Sequence, residues 1–158
     1  YTPSTFSLTE TLQKIHSLYE LTAEKKRINF KLSVHEEITI FGDENMLYVA
    51  LRNVVSNALK FTTEGKLVKI QATANHQHAI IKITDEGIGM SRQYIEKLMA
   101  DEQTSLKVGT ANEKGTGLGL ILCKNFVQLN KGTLHIESHE NTGTEFTIRL
   151  PLNQADSD

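Results

Sequence analysis

The stretch that most restricts the fold runs from Asn53 to Thr62, Asn-Val-Val-Ser-Asn-Ala-Leu-Lys-Phe-Thr. Leu47, Leu51, Val54 and Ala58 stand at helical spacing, which predicts one amphipathic helix over Glu44 to Phe61 with Asp43 as its N-cap. At about 100° per residue, Asn53, Asn57 and Lys60 fall in one stripe beside the apolar face. Short amides inside a helix compete with its backbone for hydrogen bonds, so this pair asks for a reason beyond helix formation. An amide oxygen suits a Mg²⁺ ion that keeps most of its waters and takes its charge balance from phosphates, and Lys60 suits a phosphate. A solvated surface stripe would show the same pattern, and the rest of the chain must decide.

With 158 residues the chain fits one domain, burying roughly 70% of its unfolded surface. Its net charge of -2 argues against a nucleic-acid surface or a polybasic membrane patch. No apolar run approaches the roughly 20 residues that span a bilayer, and no signal peptide is read at the start. No membrane contact by this chain is therefore expected. The chain opens at Tyr1, which reads as an excised fragment. A lone Cys123 agrees with a reducing compartment, and the cytoplasm is the expected location. Its apolar surroundings, Gly119 to Val127, are those of a buried helical residue rather than a catalytic thiol.

In chain order, Phe6, Leu8, Leu12, Ile15, Leu18 and Tyr19 predict a helix from Ser4 to about Glu24, preceding the first strand and capped by Ser7 or Thr9. Arg27 to Val34 and Ile38 to Phe41 read as strands. After the central helix and a break at Gly65, Lys66 to Thr73 and Ala79 to Thr84 alternate as a hairpin about Asn75-His76-Gln77. His76 and His78 read as solvated turn residues rather than metal ligands, with no Cys or carboxylate cluster beside them. Ser91 caps a short helix to Met99, and Ala100 to Lys114 is polar, aperiodic and long enough to suggest a lid, with Lys107 and Lys114 able to close over an anion. A helix follows over Leu118 to Leu129 with an apolar face of Leu118, Ile121, Leu122, Phe126 and Leu129. A final hairpin pairs Thr133 to Ser138 with Glu145 to Leu150, and Asn153 to Asp158 reads as a tail. There is no internal repeat or interdomain linker.

Two glycine clusters carry chemistry. A strand that runs into Asp85-Glu86-Gly87-Ile88-Gly89-Met90 brings a carboxylate to the sheet's end, where the glycines let backbone approach a flat ligand and the carboxylate can accept from an exocyclic amine. An ordinary capped turn would look the same. Gly115-Thr116-Gly117-Leu118-Gly119-Leu120 opens a helix, leaving free N–H groups and the positive end of the helix dipole for a phosphate chain. Its spacing matches neither the P-loop nor the dinucleotide fingerprint, because Leu120 stands where a third Gly would be.

Together, Asn53-x-x-x-Asn57-Ala-x-Lys-Phe-Thr, Asp85-x-Gly-x-Gly, Gly115-Thr-Gly-Leu-Gly-Leu and Gly143-Thr-Glu-Phe resemble the N, G1, G2 and G3 boxes of the histidine-kinase ATP-binding domain, a branch of the GHKL ATPase superfamily. The resemblance covers nearly the whole chain. It implies a two-layer α/β sandwich: a mixed, largely antiparallel sheet of about five strands, three main helices on one face and an ATP lid. It also implies ATP and Mg²⁺ as cofactors. In its terms Asn57 resembles the Mg²⁺ ligand, Asn53 a phosphate- or metal-side contact, Lys60 a phosphate contact and Phe61 a neighbour of the adenine or ribose. Asp85 would accept from the adenine amine, with Gly87, Ile88, Gly89 and Met90 against the base and Thr144 joined to Asp85 through water. Gly115, Thr116, Gly117, Leu118, Gly119 and Leu120 would wrap the phosphates.

The resemblance places the domain at 1–152 and implies transfer of the γ-phosphoryl group to a histidine on a separate dimerisation domain, with a response regulator downstream. The parent protein is free to be membrane-anchored. Members that hydrolyse nucleotide carry a Glu four residues before the metal-binding Asn; here Asn53 stands there, and an amide cannot serve as base to water near neutral pH. A neutral imidazole is already a nucleophile and needs no such base. His16 is followed by Ser17 rather than an acidic residue and lies on the domain's own first helix, so the fragment is not expected to phosphorylate itself. Met99 stands where a lid-edge Phe is common, and Lys131 replaces the first Gly of a usual Gly-Gly. A nucleotide-sensing module without transfer activity, and less favourably a GHKL ATPase, are the alternatives.

Overall fold

The structure is a computed structural model that describes residues 1–100 and 116–153, with only the backbone of 116–118. Seven strands and four helices follow in order among these residues: β1 (Ser4–Ser7), α1 (Leu8–Lys26), β2 (Asn29–Ser33), β3 (Thr39–Gly42), α2 (Glu44–Phe61), β4 (Leu67–Ala74), β5 (His78–Asp85), α3 (Arg92–Met99), α4 (Thr116–Leu129), β6 (Thr133–His139) and β7 (Gly143–Pro151). The main sheet has five strands in the order β2-β4-β5-β7-β6, with β2 parallel to β4 and the other neighbours antiparallel. The mixed, two-layer α/β arrangement is the one expected.

Period-two alternation makes the layers. Val68, Ile70 and Ala72 of β4, Ala79, Ile81 and Ile83 of β5, and Phe146, Ile148 and Leu150 of β7 are buried beneath the helices. Their chain neighbours, Lys69, Gln71, Lys82, Thr147 and Arg149, occupy the opposite, more accessible face. Leu8, Leu12 and Ile15 of α1, Leu47, Leu51, Val54 and Val55 of α2, and Leu120, Cys123 and Val127 of α4 close the core.

Two sequence expectations are corrected. The chain does not open with a helix at Ser4: Ser4–Ser7 is a strand, antiparallel to β3 with Phe6 opposite Ile40, and the helix begins only after Ser7, whose hydroxyl accepts from the Glu10 N–H. Phe6 and Leu8 fit helical and alternating patterns alike, so the distant partner strand decided the matter. Thr9 caps nothing; its hydroxyl accepts from the Ile38 N–H and donates to the Glu36 carbonyl. The second correction concerns α4, where Leu122 and Leu129 are exposed and Leu120, Cys123 and Val127 are inside. That helix is apolar almost all round, so periodicity could not choose its buried side. Cys123 is buried as expected, and burial pushes its thiol up to about 12, well away from a reactive thiolate.

Helices α2 and α4 lie antiparallel. At one end the buried Asn130, just past α4, accepts the Asp43 N–H at 2.7 Å and donates to the Phe126 carbonyl at 2.8 Å. Asp43 is the N-cap of α2, accepting from the Met46 N–H at 3.1 Å, and hydrogen bonds led by the one from the Thr2 N–H hold its carboxyl below the usual range. At the other end the Asn53 side chain reaches the Gly119 carbonyl. The turn after α4 puts Lys131 at φ 62, so the left-handed position usual for Gly is filled here by a lysine.

Asn130→Ala should cost about 2–3 kcal/mol in urea unfolding, because it strands the Asp43 N–H in a buried position. A loss below about 0.5 kcal/mol would show that this joint does not hold the two helices together.

Candidate functional site

The inward face of β5 runs Ala79, Ile81, Ile83 and then Asp85, so the alternation that builds the core delivers a carboxylate to its edge. The register sets Val68, Asp85, Thr144 and Ser138 abreast on neighbouring strands. Asp85 is only 8% exposed. Burial raises its pKa to about 6, against the lowering pull of N–H groups from Gly87 and Thr144. The Gly87 N–H reaches Asp85 Oδ1 at 2.8 Å.

Ser138 fixes the hydroxyl beside it. Its Oγ accepts the Met90 N–H at 2.7 Å and donates to the Gly143 carbonyl at 3.0 Å. With that proton committed, the 2.8 Å contact to Thr144 Oγ1 must be donated by Thr144, leaving the Thr144 oxygen free to accept. Two acceptors therefore stand side by side.

The loop after β5 is tied on both sides. The Ile88 N–H donates to the Phe61 carbonyl at 3.2 Å, and the Ile88 carbonyl accepts from Asn141 at 2.6 Å. This closeness explains the glycines. A Cβ on Gly87 would sit 2.6 Å from the Phe61 carbonyl oxygen, and one on Gly89, at φ +73°, 2.1 Å from the His139 carbonyl oxygen.

Between this loop, the end of α2 and the start of α4 lies a cavity of about 310 Å³. Of the residues singled out in the sequence, Asn57, Phe61, Asp85, Ile88, Gly89, Met90, Leu120 and Thr144 line it. Asn53 and Gly119 do not; they meet each other, Asn53 Nδ2 donating to the Gly119 carbonyl at 3.4 Å. Lys60 stands just outside, its ammonium 5.5 Å from the centre of the Phe61 ring. Gly87 lies behind the wall, against Asp85 and Phe61. Thr116, Gly117 and Leu118 form the first turn of α4, which begins two residues earlier than the sequence suggested. Lys107, Lys114, Gly115 and all but the first residue of the expected lid lie outside the described residues, as does the tail beyond Asn153.

Sequence reasoning missed Ala58, Ser91, Tyr94, Glu140 and Phe146 in the lining. Ser91 and Tyr94 follow the glycine motif closely, and Ser91 accepts the Tyr94 N–H as a helix cap, so proximity in sequence could have suggested them. Glu140 is brought in by the Asn141 contact across the β6–β7 turn, which no local pattern announces. His76 and His78 take no metal-like arrangement; the Asn75 side chain accepts both the Gln77 and His78 N–H groups and makes an ordinary turn. Among the described residues no three His, Cys, Asp or Glu side chains converge on a metal.

The lining combines apolar walls from Met90, Leu120 and Phe146 with acceptors on Asp85 and Thr144. No lysine or arginine is among the described lining residues. Such a pocket suits a flat ring that donates hydrogen bonds, and leaves an anionic portion to its edge, on the side of Asn57 and Lys60.

The chain is similar to several characterised proteins. Residues 42–154 match the family model described as histidine kinase-, DNA gyrase B- and HSP90-like ATPase. The chain is 30% identical over 151 residues to the sensor protein DegM of Bacillus sp. (strain B21-2), covering 96% of this chain and 39% of the relative. It is 34% identical over 152 residues to sporulation kinase C of Bacillus subtilis (strain 168), covering 94% of this chain and 34% of that protein. In structure it is similar to the catalytic domain of histidine kinase ThkA in a nucleotide-free form, with a TM-score of 0.85, 23% identity and 99% of both chains covered. The chain thus spans between about a tenth and two fifths of the length of the curated relatives it matches.

The proton on Asp85 is held more tightly in the folded chain than in the unfolded one, where the carboxyl titrates near its ordinary 3.8. Its contribution to stability is therefore greatest below that value and falls as pH rises towards about 6, by at most about 3 kcal/mol. Asp85→Asn should remove this step: the difference in urea midpoint between variant and wild type should grow in the variant's favour from pH 4 to pH 7. A difference independent of pH would place the Asp85 pKa at its ordinary value.

Proposed function

Because the chain belongs to the histidine kinase-, DNA gyrase B- and HSP90-like ATPase family, we propose that residues 1–152 are the catalytic domain of a sensor histidine kinase. It binds Mg·ATP and passes the γ-phosphoryl group to a histidine on a dimerisation domain outside this chain, from which a response regulator is charged. The observation that carries this reading is the pairing of Asp85 and Thr144, two acceptors set abreast by strand register in a cavity whose wall bears Asn57.

The residues fit the proposed ligand. Asp85 already holds the Gly87 N–H and still lines the cavity, so the adenine amine can take a remaining lone pair. Phe61 offers a ring to base or ribose, and Lys60 next to it a cation to the phosphates. Without a three-carboxylate or histidine cluster among the described residues, a bound Mg²⁺ would take its ligands from phosphate oxygens, water and the Asn57 amide.

When bound, ATP supplies the phosphoryl group, and the protein's part is to position it and balance its charge. Asn53 supports transfer over hydrolysis. Its amide nitrogen donates to the Gly119 carbonyl and its oxygen lacks useful basicity, so Asn53 itself cannot deprotonate water. An incoming neutral imidazole attacks through an unprotonated nitrogen and asks for none. Glycine backbone at 115–119 and the start of α4 would face the phosphates. The domain would work on the cytoplasmic side of a parent that is free to be membrane-anchored; among the described residues no helix is long and apolar enough to cross a membrane.

Mixing this chain with the helical acceptor domain of its parent and γ-labelled ATP should produce an acid-labile, alkali-stable phosphohistidine on the acceptor. ATP binding without such transfer would instead favour a nucleotide-sensing module. Asn57→Ala should abolish the tightening of ATP by Mg²⁺ in calorimetry while leaving binding in EDTA within about twofold; equal affinity with and without Mg²⁺ in the wild type would remove the metal from Asn57.

A further inference from the structure

Helix ends leave carbonyls without partners, and the two long helices solve this differently. Helix α1 closes on itself: Arg27 turns left-handed at φ 58 and its N–H returns to the Ala23 and Glu24 carbonyls, followed by the Ile28 N–H to Ala23. Helix α2 runs straight into extended backbone at Thr62, with φ -102 and ψ 138, so its own chain offers no such closure. Its last carbonyls are met from elsewhere. The Phe61 carbonyl takes the Ile88 N–H, and the Leu59 and Lys60 carbonyls take the ammonium of Lys26, at 2.6 and 3.2 Å.

From these contacts we infer that Lys26, the last residue of α1, is a positioning residue that sets where Lys60 stands at the rim of the cavity. The inference rests on the reading of the cavity as an ATP site. Lys26 is not among the described lining residues. It acts through the turn of α2 that carries Lys60 and Phe61, placing a cation at the negative end of that helix. The neighbouring turns are stitched together in the same place: the Gly65 N–H donates to the Arg27 carbonyl at 2.9 Å, the Asn29 N–H to the Lys66 carbonyl at 2.9 Å, and Arg27 pairs with Glu64 at 3.3 Å. The end of α1 and the end of α2 are therefore fastened to each other.

The division of labour among these carbonyls makes the inference specific. Phe61 is fixed independently by Ile88, whereas the Lys60 backbone is fixed by Lys26. Loss of the Lys26 ammonium should then disturb the phosphate side of the site and spare the base side.

The test uses Lys26→Met, which keeps the apolar stem, and Lys26→Arg, which restores donors. Mg·ATP affinity is read by calorimetry and adenosine affinity by protein NMR titration. Lys26→Met should weaken Mg·ATP about fivefold, leave adenosine within about twofold, and be rescued by Lys26→Arg. Unchanged ATP affinity, equal weakening of both ligands, or no rescue by arginine would each overturn the role of Lys26. Failure of the wild type to bind either ligand would instead defeat the ATP-site reading and the inference with it.

Discussion

The structure turns on one carboxylate placed where the core would rather have carbon. Asp85 occupies the fourth inward position of a strand whose other three are Ala79, Ile81 and Ile83, and only the N–H groups of Gly87 and Thr144 make its presence there tolerable. Much of the surrounding sequence follows from that placement. The loop must double back at once to supply the Gly87 N–H, so Gly87 cannot carry a Cβ against Phe61; Thr144 must be abreast, so β7 must pair with β5 in one register and no other. A slip of one residue would turn every inward side chain of that strand to the solvent face.

The second frame is the antiparallel pair of α2 and α4. Asn130 joins them at one end and Asn53 at the other. Between these joints the helices share apolar packing, and the cavity opens beside the Asn53 joint, where Asn57 and Phe61 of α2 and Leu120 of α4 line it. The walls built by the described residues are tied by these contacts and those of the loop after β5, which lowers the cost of ordering them around a ligand.

Much of this was legible in the sequence, and the pattern of what was not is instructive. The α2 helix, its Asp43 cap, both hairpins and the Ser91 cap are local features, written in spacing and in capping chemistry, and they stand where expected. Asn57, Phe61, Asp85 and Thr144 line one cavity, a convergence that the resemblance implies and the spacing within any single motif does not. The failures are non-local. Ser4–Ser7 became a strand because Thr39–Gly42, a helix and a further strand away, was there to pair with it. The buried side of α4 was hidden by an excess of apolar residues, and Glu140 reached the cavity through a turn contact that no residue type advertises. Lys26 has the same character: an unremarked lysine at the end of a helix, given meaning only by the carbonyls it meets.

The first strand has a mechanical meaning as well. Thr2 donates its N–H to the Asp43 carboxylate at 2.7 Å, so the chain's beginning is fastened to the N-cap of α2. That helix is a rod of about 27 Å, anchored at its near end by this contact and carrying Asn57 and Phe61 towards its far end. Tension or torque applied ahead of Tyr1 would enter at the rod's root and be passed along its axis to the cavity-lining end, where Lys26 and Ile88 hold it.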